Sequence, residues 1–323
     1  MILTGDCGAT NTIISLWDYS DLHKQPANVR KYKTSDYSNA TDILNDFIRD
    51  NAKATSIKSA CIGIAGPVIN GISYMPNRPF SANENEIREL FGFSVHLVND
   101  MILHCHSVPA VKGESVLQIK APNHSCRKLT GLVIAPGTGL GQAFFLQREN
   151  TFSAHPSEAS HRLVCSSDEM INNFLQYLSA RNIEPVYDKV ISGNGIMLMY
   201  EYYSGERITS EKPEDLINPG SIFNNACNMN DKVCKDAITL FFNLLYEYCM
   251  ELALIFLPYA GIYLTGGIVR KNLKLVKDFF NENKFSQHPT MGYVLKNFEI
   301  NLITDELASL RGGLHYLKMN NFI

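Results

Sequence analysis

The chain has 323 residues, 45% apolar and 19% charged, a globular balance without bulk disorder and with length enough for two domains. Its formal net charge is −3, which excludes a basic field for nucleic acid or an anionic membrane. The eight cysteines, at 7, 61, 105, 126, 165, 227, 234 and 249, form no Cys-x-x-Cys pair and no zinc spacing with histidine, so they fit small buried hydrophobes in a reducing compartment.

The chain opens directly into a strand pattern at Met1-Ile2-Leu3-Thr4, which predicts a cytoplasmic protein without a signal peptide. Ile2 to Gly5 and Thr12 to Trp17 read as two strands around a glycine turn. Ser59 to Ala65 is a buried strand stopped by Gly66-Pro67. Ala82 to Phe91 reads as a helix with Asn83 as N-cap. Val95 to Val98 is a further strand, Asn99-Asp100 lie at its C-terminal end, and a helix follows that stops before Pro109. In that helix His104-Cys105-His106 point in different directions, which disfavours a metal role.

The strand, glycine turn, strand device then repeats. Leu132 to Ala135 and Gln142 to Leu146 flank Pro136-Gly137-Thr138-Gly139-Leu140-Gly141. Asp168 to Arg181 reads as an amphipathic helix. Asp231 to Leu257 reads as a long one, with Lys235, Thr239, Asn243, Glu247 and Glu251 as a polar stripe that argues against a membrane span. Ile262-Tyr263-Leu264 is a buried strand leading into Thr265-Gly266-Gly267, and Glu306 to Leu317 reads as the last helix. Alternating strands and helices in two similar halves indicate an α/β protein with a cleft between them, with the crossover near Pro109.

Glycine turns between strands let backbone N–H groups aim at an anion. Gly5-Asp6-Cys7-Gly8-Ala9-Thr10-Asn11 is one such turn. Asp6 would repel a phosphate unless Mg²⁺ lay between them. Read alone, the segment is equally a tight hairpin with a capping Asp. Gly137 to Gly141 is a second turn and matches neither the dinucleotide fingerprint nor the Walker motif. Ser192-Gly193-Asn194-Gly195 and Thr265-Gly266-Gly267 are further turns, suited to adenine and ribose or simply to strand-to-helix connections. Asn99, Asp100, Glu158, His161 and Asp188 are a donor and acceptor set for a polyhydroxyl ligand; each alone also reads as a surface residue or cap.

The ordered set Gly5-Asp6-x-Gly8-x-Thr10-Asn11, Ile64-Ala65-Gly66-Pro67, Leu97-Val98-Asn99-Asp100, Gly137-Thr138-Gly139-Leu140-Gly141, Glu158-x-x-His161, Ser192-Gly193-x-Gly195 and Gly266-Gly267-Ile268-Val269 resembles bacterial-type glucokinase over nearly the whole chain. The resemblance implies the two-domain actin-like (ribonuclease H-like) ATPase fold with an interdomain cleft. It implies a small domain of 1–109 plus 303–323, a large domain of 110–302, and a homodimer. It implies ATP with Mg²⁺, glucose as substrate, and Asp100 as catalytic base. Asn77, Asn99, Glu158, His161 and Asp188 match the sugar contacts. Asp6, Gly8, Ala9, Thr10, Asn11, Gly137, Thr138, Gly139, Ser192, Gly193, Gly195, Gly266 and Gly267 match the nucleotide loops, with Asp6 toward the metal, in one version through water.

This chain also departs from the family's pattern. Gly8-Ala9-Thr10 stands for Gly-Gly-Thr, Ser157-Glu158-Ala159-Ser160-His161 for Gly-Glu-Gly-Gly-His, and Asp188 for Glu. Three glycines are lost around Glu158, so strain is expected wherever the backbone there needs φ > 0. The loop Met75-Pro76-Asn77-Arg78-Pro79-Phe80 differs as well. The zinc-binding cluster of the related repressor–kinase sugar family has no counterpart. A kinase for another hexose or amino sugar, and a weakly catalytic sugar sensor, are the alternatives.

Overall fold

The computed structural model describes the chain except residues 21–24, 52–55, 77, 125–128, 150, 208–216 and 282–283. It divides into two compact units. The first comprises Met1–Val116, Phe152–Pro156 and Ile303–Ile323; the second comprises Leu117–Thr151 and Ser157–Leu302.

In the first unit a five-stranded sheet runs Asn28–Lys33, Asn11–Trp17, Ile2–Cys7, Ser59–Ile64, Ser94–Asn99. The last three are parallel, and their register sets Cys7 beside Ile64 and Ile64 beside Asn99. Ser59–Ile64 is buried throughout, as a central parallel strand covered on both faces must be. Successive side chains alternate between two cores. Leu3 and Ile62 join Phe47 and Ile87 on one face, while Ile2 and Cys61 join Leu103 and Leu310 on the other.

A three-stranded sheet, Val68–Ile69, Ile72–Tyr74 and Ser81–Asn83, also belongs to this unit. The expected helix from Ala82 therefore starts later, at Glu84, with Asn83 capping it through a bond from the Asn85 amide (3.0 Å). The helix after Asn99 runs Asp100–Ala110 and includes Pro109 instead of stopping before it. Proline there removes one backbone donor, but the helix ends one residue later at Ala110, so little helix lies beyond the interruption. The C-terminal helix, Ala308–Met319, packs on it. A Cβ at Gly312 would lie 1.9 Å from the Leu103 carbonyl oxygen, so only glycine permits this approach.

Residues 110–116 and 152–156 fall in the first unit, whereas the sequence places them in the large domain. Local bonds give the reason. Thr304 donates its amide to the Ser115 carbonyl (2.9 Å) and its hydroxyl to that of Glu114 (3.1 Å). The Phe152 ring packs against His106 and His315, with centroids 4.9 and 5.5 Å away.

The second unit carries a six-stranded sheet in which Leu140–Arg148, Thr130–Pro136, Ile262–Leu264, Ile300–Ile303 and Val116–Lys120 are successive neighbours. Its core is organised around the helix Lys232–Phe256, capped by Asp231 and ended by Leu257 in the left-handed region (φ 47°) just before Pro258. Among the described residues this is one helix long and apolar enough to cross a membrane, yet 61% of its most apolar window is buried inside the protein. Phe241, Phe242, Leu245, Tyr248 and Leu252 fill that core, while none of the polar stripe residues is fully buried.

Candidate active site

In the first unit, the C-terminal ends of the parallel strands bring together Asp6, Ala65-Gly66 and Asn99-Asp100. Open α/β sheets bind ligands at this edge. Asn99 caps the Asp100 helix. Its Oδ1 accepts from the Met101 amide (3.0 Å) and its Nδ2 donates to the Gly66 carbonyl (3.1 Å). The residue expected as a sugar contact is thus already engaged in framing Asp100. Gly63 completes the frame, because a Cβ there would lie 3.0 Å from the Asp100 Cα and 2.5 Å from Leu103 Cδ1. Cys7 senses both carboxylates. Burial, then Asp6, push its thiol up, and Asp100 adds to the shift.

The first glycine turn closes through the Gly8 amide on the Asn11 carbonyl (3.1 Å). Thr34 braces it, donating its hydroxyl to the Gly8 carbonyl (2.8 Å) and its amide to that of Thr10 (3.1 Å). No local sequence signal marks Thr34, which lies one strand away. Ala9 does not take positive φ, so the missing glycine costs no strain there, and Thr10 and Asn11 are exposed.

In the second unit three glycine turns and the Asp188 segment are tied to one another and to the sheet. The Gly193 amide donates to the Gly137 carbonyl (3.0 Å), the Thr265 amide to the Ile134 carbonyl (2.9 Å), and the Leu140 amide to Asp188 Oδ1 (2.8 Å). Their glycines divide into two kinds. At Gly139 an added Cβ would meet Asp188 Oδ1 at 2.5 Å, and at Gly195 it would meet the Val190 carbonyl at 2.0 Å; Gly266 has φ 93°. Internal packing explains these three. At Gly137 and Gly267 a Cβ would meet nothing within 4 Å. The fold itself therefore does not require glycine at those two, and the backbone there is open to an approaching group. Ser192 caps the next helix through the Gly195 amide (3.1 Å). Thr138 lies within the second turn, which is closed by the Gly137 amide on the Gly139 carbonyl (2.8 Å).

Glu158 and His161 stand on a single turn, Ala159–His161, with Oε2 and Nε2 3.7 Å apart and both side chains more than half exposed. The strain expected from the lost glycines is absent. Glu158 has φ −96°, and no residue from Ser157 to His161 takes positive φ. Ser157 instead uses a hydroxyl that glycine lacks, accepting from Gln142 Nε2 (2.8 Å) and the Ala159 amide (3.3 Å). The segment then pairs with the chain before Asp188: the Tyr187 amide donates to the Arg162 carbonyl (3.2 Å) and the Val164 amide to that of Pro185 (2.8 Å). Glu158, His161 and Asp188 therefore belong to adjoining segments of one unit. Asn77 lies outside the described residues.

The sequence model of the family described as Glucokinase matches residues 3–320. The chain belongs to the glucokinase family. It is 27% identical to a glucokinase from Nostoc sp., covering 97% of each chain, and 24% identical to one from Pectobacterium atrosepticum, covering 98% of this chain and 97% of that one. Among solved structures it resembles a glucokinase from an Antarctic psychrotroph (TM-score 0.78, 20% identity, 98% of each chain). It also resembles the glucose complex of Balamuthia mandrillaris glucokinase (TM-score 0.75, 21% identity, 98% of this chain and 93% of that one). A ROK family glucokinase from Streptomyces griseus, in complex with glucose and AMPPNP, superposes at TM-score 0.67 with 17% identity over 97% of each chain. The fold of this glucokinase-family chain is the two-domain actin-like ATPase fold, and its class is that of the ATP-dependent hexose kinases.

Proposed function

We propose that the chain transfers the γ-phosphoryl group of ATP to the 6-hydroxyl of glucose, with Asp100 as general base. The observation that carries this reading is the seat of Asp100. It opens a helix at the C-terminal end of a parallel strand, with its backbone locked by the Asn99 cap and the close approach at Gly63. A carboxylate carried on a backbone held this firmly is suited to orient a hydroxyl and take its proton late in the transfer. The sugar oxygen forms a bond to phosphorus as the bond from phosphorus to the ADP oxygen breaks, and the hydroxyl proton passes to Asp100. The open backbone at Gly137 suits the phosphates, and Glu158, His161 and Asp188 suit the ring hydroxyls.

The donor chemistry also fits Mg²⁺, which is held in phosphotransfer sites by one or two carboxylates together with phosphate oxygens. Asp6 is the residue that would hold it, directly or through water, and Gly63, its partner on the neighbouring strand, is the residue that packs against Asp100. Bound there, the ion would supply charge neutralisation of the phosphates.

A coupled assay of ATP consumption across a panel of hexoses and amino sugars tests this reading. Glucose is expected to be turned over best. Preference for another sugar would move the substrate assignment while keeping the reaction. Stoichiometric glucose binding without ATP consumption would replace the kinase reading with a sensor.

A further inference from the structure

With Glu158, His161 and Asp188 read as sugar contacts, we propose that Glu251 is a positioning residue for them, acting from the long helix through Arg162 and Tyr187. These two residues adjoin His161 and Asp188 in the chain. The Glu251 carboxylate engages both. Oε1 accepts from the Tyr187 hydroxyl (2.8 Å), and Oε2 pairs with the Arg162 guanidinium.

Arg162 has no second ion pair among the described residues, and its buried Nε has no hydrogen-bond partner there. Its cation lies 4.9 Å from the Tyr187 ring centroid and 5.7 Å from that of Tyr248. Glu251 is thus the anion that keeps Arg162 stacked over the two rings. Tyr248, one helical turn before Glu251, bonds Gln142, and Gln142 donates to the Ser157 hydroxyl (2.8 Å). One turn of the Lys232–Phe256 helix therefore holds the chain on both sides of the Glu158–His161 turn and immediately before Asp188.

The arrangement fits a specific need. The turn carries Ser157, Ala159 and Ser160 around Glu158 and His161, and these two candidate contacts are exposed, so little packing fixes them. Side-chain bonds from a core helix supply what close backbone packing does not. Among the described residues Glu251 forms no hydrogen bond or ion pair with Glu158, His161 or Asp188, so its effect is exerted through Arg162 and Tyr187.

Three variants, Glu251→Gln, Tyr187→Phe and Glu158→Gln, test this through KM for glucose, KM for ATP, kcat and thermal midpoint. Glu251→Gln keeps the shape and the acceptor for Tyr187 but removes the charge that holds Arg162. It is expected to raise KM for glucose about 5- to 30-fold, more than KM for ATP. Tyr187→Phe keeps the ring and loses one bond, so a smaller shift in the same direction is expected, and it serves as the probe if Glu251→Gln does not fold. A lowered thermal midpoint with both KM values unchanged would assign Glu251 a purely structural role and overturn the proposal, as would equal shifts in the two KM values. Glu158→Gln separates the two levels. A rise in KM for glucose with Glu158→Gln but not with Glu251→Gln overturns the positioning role alone. No change with either variant overturns the sugar-contact reading together with it.

Discussion

Asp100 in the first unit and His161 in the second are both proposed to contact the substrate, yet they are fixed by different means. Asp100 is placed by backbone. Three parallel strands in register end together, a helix starts at that edge, and Gly63 lets the helix close on the sheet. His161 is placed by side chains. Its turn is short and exposed, and the bonds that hold it run through Ser157, Gln142 and Tyr248 on one side and through Arg162 and Glu251 on the other. Backbone placement tolerates little change in its glycines. Side-chain placement lets a loop lose its glycines, provided that the network behind the loop is kept.

The largest effect is expected where placement is by backbone. Asp100→Asn should lower kcat on the order of 10²–10⁴-fold, since the amide accepts a hydrogen bond but takes no proton. Glucose binding, followed by calorimetry, should remain detectable. Near-normal turnover would remove Asp100 from the mechanism and with it the contrast between the two units.

The same contrast governs how much was legible in the sequence. The Gly5–Asn11 turn, the strand before Asn99 and the Asn99 cap are local patterns, and a short apolar run followed by Asn-Asp carries its own placement. The helix end at Pro109 and the helix start at Ala82 were less legible, because a proline in the last turn and a third strand of a small sheet are decided by neighbours rather than by the segment. The Arg162, Tyr187 and Glu251 contacts were not legible at all. Glu251 follows a four-residue polar period on a helix and looks like its neighbours on that stripe. Only the fold brings its carboxylate to residues far away in the chain. The strain expected from the missing glycines likewise depended on φ values that sequence does not give.

Gly137→Val asks whether the second unit's turns serve a ligand or only the fold. A Cβ at Gly137 meets nothing within 4 Å, so the first atom of a new side chain does not collide with the protein. Thermal stability should therefore change little, while KM for ATP should rise on the order of tenfold as the side chain blocks the approach of phosphate to backbone N–H groups. An unchanged KM for ATP would leave the turn a structural hairpin. Gly139→Ala is the control, because its Cβ would meet Asp188 Oδ1 at 2.5 Å and should disturb the turn with or without ligand.

Asp188 sits where the two means of placement meet. Its Oδ1 accepts from the Leu140 amide, so the residue expected at the sugar also holds the Gly137–Gly141 turn, which is proposed to face the nucleotide. Asp188→Ala should raise both KM values, each by about 5-fold or more, since a buried backbone donor loses its partner along with the sugar contact. Asp188→Asn keeps an acceptor oxygen and should move KM for ATP less than Asp188→Ala does. A shift confined to glucose would mean that the Leu140 bond contributes nothing to nucleotide binding.

The smallest effect concerns the first unit's own stability. Between the Asp100 helix and the C-terminal helix packed on it, His106 Nδ1 and His315 Nδ1 lie 2.8 Å apart, so one ring donates and the other, necessarily neutral, accepts. Burial, with His315 adding to it, lowers His106 from 6.5 to about 3, and burial together with Lys318 lowers His315 to about 4. A histidine whose folded value is depressed contributes stability that is complete above the unfolded value of 6.5 and is lost as pH falls toward the folded one, because the unfolded chain takes up the proton first. Between neutrality and about pH 5 the loss should be on the order of 1–2 kcal/mol, mostly from His106, since His315 is less buried and more screened. Thermal melts over that range check it, and His106→Gln should flatten the acid limb even if it lowers the midpoint at neutral pH. A protein whose midpoint did not fall with pH, or a variant with the native slope, would show that this pair does not set the acid stability of the unit that carries Asp100.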